Sequence, residues 1–477
     1  VSAAATFLTE NGLVGGILLV GLFIAAILVI LQGLQYGTQE NVSSLNQIIG
    51  MGGVTSATVL IGAFFLYPAS LIHNLILFST LGILVGTLAS GKSDASYDIQ
   101  LTQSTTKTIA VSLVIIFLMV ISIALLYFEG ERYAAAITFE QGLRTWNNER
   151  KYSDATQIMT RSLQLDRRED SYGRSLAQLY LDHITSLIQQ PIANQATLQS
   201  LQSDFQITVG NAVQVVQELT QRNPQDPFNW ATRGNIYENL IPLVQGADIP
   251  AVEAYKKAEE LDPKNPAHPL SLGRTHLVIA ETIARTLQPR VQQLSAQQIQ
   301  DANSTIQKEL NMAVEELTRA ANLKPDLAAI HLLLAQTYDR RGEVDKSIQA
   351  TENLKTLTPQ DVGIRFQLGF LYYKINDLAK SQVEFEEAVR LNENYSNARY
   401  FLGLIFDRAG NKPAAIDQFE RVGALNPDNQ EVKQILANLK TGKAALAGIV
   451  PPAEEPAKRK ATPVPDSGGV ESPVRGR

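Results

Sequence analysis

Leu334, Leu368 and Leu402 lie 34 residues apart, and each opens the same alternation of apolar and polar positions. Tyr338, Tyr372 and Phe406 follow four residues on, Gly369 and Gly403 come directly after two of the leucines, and Pro359 and Pro427 close two of the periods. Apolar positions recurring three and four apart predict helices. A fixed period of this length predicts antiparallel helix pairs stacked in an array, where a small residue lets two backbones approach and an aromatic fills the next turn. No single pair of that kind can bury its apolar face alone.

The pattern resembles the tetratricopeptide repeat (TPR) family. It runs Leu368-Gly369-x-x-Tyr372, Phe385 and Ala388, then Leu402-Gly403-x-x-Phe406, Ala415, Phe419 and Pro427, in the order of small, aromatic and proline positions of that repeat. Toward the N-terminus the register loosens. Gly234, Tyr237, Tyr255, Ala258 and Pro263 form one further repeat with extra residues between its helices. Another begins at Gly273 and closes at Leu317, Ala320 and Pro325 after an insertion that includes 288–300; its Gln292, Gln293, Gln297, Gln298 and Gln300 predict longer paired helices or a solvated loop. Gly142, Trp146, Ala155 and Leu165 suggest a degenerate first repeat, and Ala212, Leu219 and Pro224 the end of a second. The count is about seven repeats over 129–442, with a capping helix over 430–439 that gives the last repeat a polar lid.

The N-terminal quarter follows a different pattern. Residues 13–34, 48–66 and about 108–128 hold no charge, and 71–89 holds only His73. Twenty apolar residues make about 30 Å of helix, the thickness of a hydrocarbon core. Four transmembrane helices within 1–128 are therefore expected. From 443 to 477 the chain turns to Pro, Glu, Lys, Ser and Gly, too little apolar surface to offset ordering, and a disordered tail is expected. The expected fold class is all-α: four transmembrane helices, an α-α TPR superhelical solenoid and a disordered Pro-rich tail.

Lys92 and Lys107 bracket the loop between the third and fourth spans, which places that loop inside and the repeat domain outside the cytoplasm. Arg132 beside the fourth span, and a loop between the first and second spans without Lys or Arg, argue the other way. The stretch from Phe7 to Gly15, with Tyr67-Pro68-Ala69-Ser70 and Leu81-Gly82-Ile83-Leu84, resembles the last membrane helices of O-antigen ligase and polymerase-like proteins. That resemblance covers roughly the first quarter. It implies an integral cytoplasmic (inner) membrane protein with an extracytoplasmic TPR domain, and polysaccharide or lipid-linked glycan machinery as partners. The large periplasmic loop and basic catalytic residues of that family are lacking, and Val1 opens the chain with no Met before Met51, so the chain is expected to be the C-terminal part of a longer protein.

Composition narrows the chemistry. A net charge of -6 gives no reason to expect nucleic acid as a partner. No cysteine is present, which excludes disulfides, thiolate metal sites and cysteine nucleophiles. His73, His183, His268, His276 and His331 are scattered without metal-ligand spacing and are read as packing or surface residues, His73 with Asn74 as a headgroup contact. No phosphate loop, dinucleotide fingerprint or nucleophile elbow occurs. No cofactor, metal or catalytic residue is expected.

TPR domains bind ligands on the surface formed by the first helix of each repeat. By family register the inward positions are Gln336, Asp339 and Arg340, then Phe366, Phe370, Tyr373 and Lys374, then Tyr400, Leu404, Asp407 and Arg408. Aromatics beside charges can hold an extended or helical peptide. The recurrence of Arg340, Lys374 and Arg408 at one repeat position also fits a cation favoured at a helix C-terminus with no ligand present. Leu332, Gln336, Phe366, Phe370, Tyr400 and Leu404 stand where a chaperone-tail clamp needs Lys, Asn and Arg, which excludes that type of receptor. Two functions remain: a membrane-anchored TPR scaffold for protein–protein interaction, and the C-terminal part of an O-antigen ligase-like glycosyltransferase whose catalytic residues lie elsewhere.

Overall fold

Helices account for nearly all of residues 105–449, the part of the chain that the computed structural model describes. In order they are α1 (Thr105–Arg144), α2 (Tyr152–Leu165), α3 (Asp170–Gln189), α4 (Gln195–Arg222), α5 (Pro227–Leu240), α6 (Asp248–Leu261), α7 (Ala267–Leu287), α8 (Ala296–Leu323), α9 (Ala328–Arg340), α10 (Val344–Leu357), α11 (Val362–Lys374), α12 (Leu378–Leu391), α13 (Ser396–Arg408), α14 (Lys412–Leu425) and α15 (Gln430–Lys440). The chain divides into two units between Ala124 and Leu125, and the helix array lies in the second. There each helix packs on its successor, in a TPR-like solenoid of helix pairs.

The pairs are fixed by one recurring contact. A Cβ placed on Gly369 of α11 would lie 2.7 Å from Phe385 of α12, and one on Gly403 of α13 would meet Phe419 of α14 as closely. Gly142 faces Met159, Gly173 faces Leu219, Gly234 faces Tyr255 and Gly273 faces Leu317 in the same way. A missing side chain on one helix thus makes room for a large apolar one on the other. The pair α9–α10 inverts the choice: Ala335 stands at the glycine position, and the facing α10 buries Ser347 and Thr351 instead of an aromatic. The Ser347 Oγ donates to the Ala335 carbonyl at 2.9 Å, as Ser381 does to Gly369 at 2.8 Å.

Local signals set the helix ends. Asp361, Asp377, Asn411 and Asn429 each accept a hydrogen bond from the first turn of α11, α12, α14 and α15, satisfying amides that have no partner within the helix. Between the two helices of the last three pairs, Gly342, Asn376 and Gly410 take the left-handed conformation, with φ of 76°, 63° and 77°. The Gln-rich insertion becomes both of its alternatives at once. It lengthens α7 and α8, joined by a short 3-10 turn over Gln288–Gln293, and Ser295 with Gln298 forms a capping box that starts α8.

The structure corrects the expectation of four transmembrane helices. Among the described residues no helix is long and apolar enough to cross a membrane. The fourth expected span, about 108–128, falls on α1, which does not stop where the apolar run stops. It continues through Glu129, Glu131, Arg132 and Glu140 to Arg144, and its distal part belongs to the solenoid, where Ala135 is fully buried and its carbonyl accepts a hydrogen bond from Ser162 of α2 at 2.8 Å. A count of uncharged residues marks a greasy stretch without showing where its helix ends. The other expected spans (13–34, 48–66 and 71–89), the segments resembling O-antigen ligases, and the tail from 450 onward lie outside the described residues.

Candidate peptide-binding groove

The inward positions read from the sequence are carried by the first helices of the last three pairs: Gln336, Asp339 and Arg340 on α9; Phe366, Phe370, Tyr373 and Lys374 on α11; Tyr400, Leu404, Asp407 and Arg408 on α13. The aromatics of α11 converge on Phe401 of α13, with ring centroids 5.9 Å from Phe366, 5.4 Å from Phe370 and 5.2 Å from Tyr373. Phe385 stacks on the same ring at 5.3 Å. Phe401 is therefore the keystone of the aromatic surface, yet it is absent from the sequence-derived set. It stands one residue before the repeat leucine, at a position where Leu333 and Gln367 give no hint of an aromatic. Phe366, Phe370 and Tyr373 are half-buried, each in tilted or edge-type ring contact with Phe401.

The three recurring cations end their helices, and each reaches back to the preceding pair. Arg340 meets Glu281 of α7 at 3.0 Å. Lys374 meets Asp339 of α9 at 2.6 Å. The Arg408 guanidinium lies over the Tyr373 ring, 4.8 Å from its centroid. Burial raises the Tyr373 hydroxyl above its usual range, with Arg408 acting in the opposite sense. Arg340 and Lys374 are thus neutralised by carboxylates, whereas the partner of Arg408 is an aromatic face, and among the described residues no carboxylate pairs with it.

The end of this surface is covered. Gln336 is exposed and Phe370 half-buried, but Leu404, at the same repeat position, is only 7 % exposed. Tyr400 is 9 % exposed and donates its hydroxyl to Glu431 of α15 at 2.7 Å. Asp407 pairs with Lys412 and accepts the backbone amide of Ala445 at 2.8 Å. The sequence-derived set therefore divides into an open surface on α9 and α11, Arg408 at its margin, and a closed part on α13.

Other polar clusters hold the array together. Glu238, 5 % exposed, receives both Arg274 donors at 2.6 and 3.0 Å and the Tyr255 hydroxyl at 2.8 Å, tying α5, α6 and α7. This pairing raises the Arg274 pKa, while burial and the Glu238 carboxylate push the Tyr255 hydroxyl up. His276 bonds Glu309 at 2.7 Å, His331 contacts the Pro325 carbonyl at 2.7 Å, and His183 stacks on Tyr152 with centroids 3.4 Å apart. Among the described residues no group of His, Asp and Glu is placed to hold a metal ion. A cavity of about 590 Å³ lies where the lengthened α7 and α8 meet Arg340, lined by Glu281, Arg285, Leu287, Val291 and Ile306.

The chain is similar in part to known proteins. The chain is 22 % identical over 214 residues, 41 % of its length, to the BBSome complex member BBS4 homolog of Drosophila melanogaster, and spans 44 % of that relative. It is 26 % identical over 113 residues, 24 % of its length, to human tetratricopeptide repeat protein 13 and spans 13 % of it. Among solved structures it resembles the C-terminal part of a TPR repeat-containing protein from Cytophaga hutchinsonii (11 % identity, 63 % of this chain and 98 % of that one, TM-score 0.44). A TPR protein from Parabacteroides merdae is similar at 12 % identity, covering 64 % of this chain and 99 % of that one with a TM-score of 0.35. Residues 366–429, which span the aromatic surface and the last two pairs, match the family model of the tetratricopeptide repeat, and the chain carries that repeat.

Proposed function

We propose that the chain is a protein-interaction scaffold whose open groove on α9 and α11 takes a peptide segment with apolar side chains and an acidic group. The observation that carries this is the stacking of Arg408, which no carboxylate among the described residues neutralises, on half-buried Tyr373, whose ring meets Phe401 together with Phe370. The aromatic faces supply apolar contact at low entropic cost, and the guanidinium supplies a planar fork for a carboxylate. Lys374 and Arg340, already paired, add little beyond shaping the rim.

A peptide-display library selected on the full chain tests this. Enriched sequences should combine apolar residues with Asp or Glu, lose most binding to the Arg408→Glu and Tyr373→Ala variants, and keep binding to Arg421→Glu, which alters a charge on the second helix of the last pair. Equal capture by all four chains would overturn the proposal.

A further inference from the structure

The segment after α15 does not leave the solenoid. The Asn438 amide donates to the carbonyls of Ala445 and Ala447 at 3.1 and 2.8 Å. Asp407 accepts the Ala445 amide, and Lys412 donates to the Lys443 carbonyl at 2.6 Å. Every one of these bonds is to the main chain of the segment. Its side-chain contribution is small: Ala445 is 1 % exposed, and Ile449 packs against the same core cluster as Leu404 and Val432. Turns closed by Ala447 on Ala444 and by Ile449 on Leu446 shape the segment, and Gly442 enters it with φ of 77°.

An acceptor, two donors and a slot sized for a methyl group, arranged around a bound backbone, amount to a recognition site already holding its ligand. Asp407 is an inward position of α13, and Leu404, the inward residue one turn before it, is buried in the same cluster. We propose that Asp407, Lys412 and Asn438 form a main-chain-reading site for a short turn-forming peptide with a small residue at its centre, and that residues 443–449 are its resident occupant. A partner segment of the same chemistry enters by displacing them. This site is separate from the Phe370 and Tyr373 surface, and its test does not depend on that surface.

The probe is a fluorescein-labelled synthetic peptide of residues 441–456, titrated against the full chain by anisotropy. The native chain, with its site filled, should bind it weakly. The Ala445→Arg variant cannot seat its own segment and should bind roughly tenfold tighter or more. Adding Asp407→Ala or Asn438→Ala to that variant should remove the gain. Because Ala445→Arg could disturb folding, the same titration is run on a chain cut at a protease site engineered after Thr441 and dialysed free of the released piece. Equal affinity in native and vacated chains, absence of binding to either vacated chain, or a gain insensitive to Asp407 and Asn438 would each overturn the proposal. So would a vacated chain that gains its affinity only by dimerising.

Discussion

Gly369 and Phe385 touch so closely that the glycine has no room for a methyl group: a Cβ would lie 2.7 Å from both Cδ1 and Cε1 of the ring. Phe385 is fully buried and also stacks on Phe401, so it cannot swing away without disturbing the aromatic surface. Gly369→Ala should therefore cost about 1–3 kcal/mol through overpacking. In a Phe385→Ala background the same substitution should cost close to nothing. Urea unfolding of the double-mutant cycle measures this coupling, and additive costs would show that the contact is not tight.

Glu238 is a nearly buried carboxylate satisfied by Arg274 and Tyr255. Removing Arg274 leaves the charge without its main partner, and Arg274→Ala should destabilise the array by about 3–5 kcal/mol. Combining it with Glu238→Gln should recover part of the loss, because a neutral amide tolerates burial better. Thermal unfolding of the two variants decides between this and a surface pair of little consequence.

The Arg340 and Glu281 pair is the contrasting case. Both side chains are nearly half exposed, and Arg340→Ala should change stability by less than about 1 kcal/mol, with the difference vanishing at high salt. A larger, salt-independent loss would mean that the cavity beside Arg340 depends on its side chain for packing.

Acidification should weaken the fold through two histidines. Burial lowers the pKa of His268 and of His183, with Asp262 and Asp204 partly opposing. A histidine depressed in the folded state contributes stability that is complete above the unfolded value, about 6.5, and is lost as pH falls through that value toward the folded one. Glu316, raised by burial, works in the opposite sense, its contribution being lost as pH rises above the ordinary carboxylate range. The midpoint of thermal unfolding should fall between about pH 7 and pH 5, and His268→Gln should flatten that slope. An unchanged slope would remove His268 from the account.

The last three pairs were legible in the sequence because their period is unbroken, so leucine and aromatic recur in step through all three and glycine through the last two. Gly173 was not. Its partner Leu219 lies far along the chain because α3 and α4 have 20 and 28 residues, and a fixed-period search cannot link the two. The inward positions were found by register alone, but register says nothing of what lies on top of them. Tyr400 is tied down by Glu431 of α15, and Leu404 lies in the core cluster that also takes in Ala445 and Ile449, from a stretch whose composition resembled the start of a tail. Its small residues were the signal, since alanine and glycine make room for a main chain to be bound. The fourth membrane span was over-read for a related reason, in that an apolar run was counted without asking where its helix went next.

The pair α9–α10, with Ala335 opposite small hydroxyl side chains, has a further effect. The buried core falls into a large cluster on α2–α7 and another on α12–α15, and between them lie only two small ones, on α7–α8 and around α9. A chain of nearest-neighbour couplings fails at its weakest joint. Heating or denaturant should therefore divide the molecule there into two cooperative blocks, and hydrogen exchange should show two separate opening energies on either side of Ala335. Bending of the array should then concentrate at that joint, where the glycine is replaced, changing the mutual angle of the two blocks without unfolding either one.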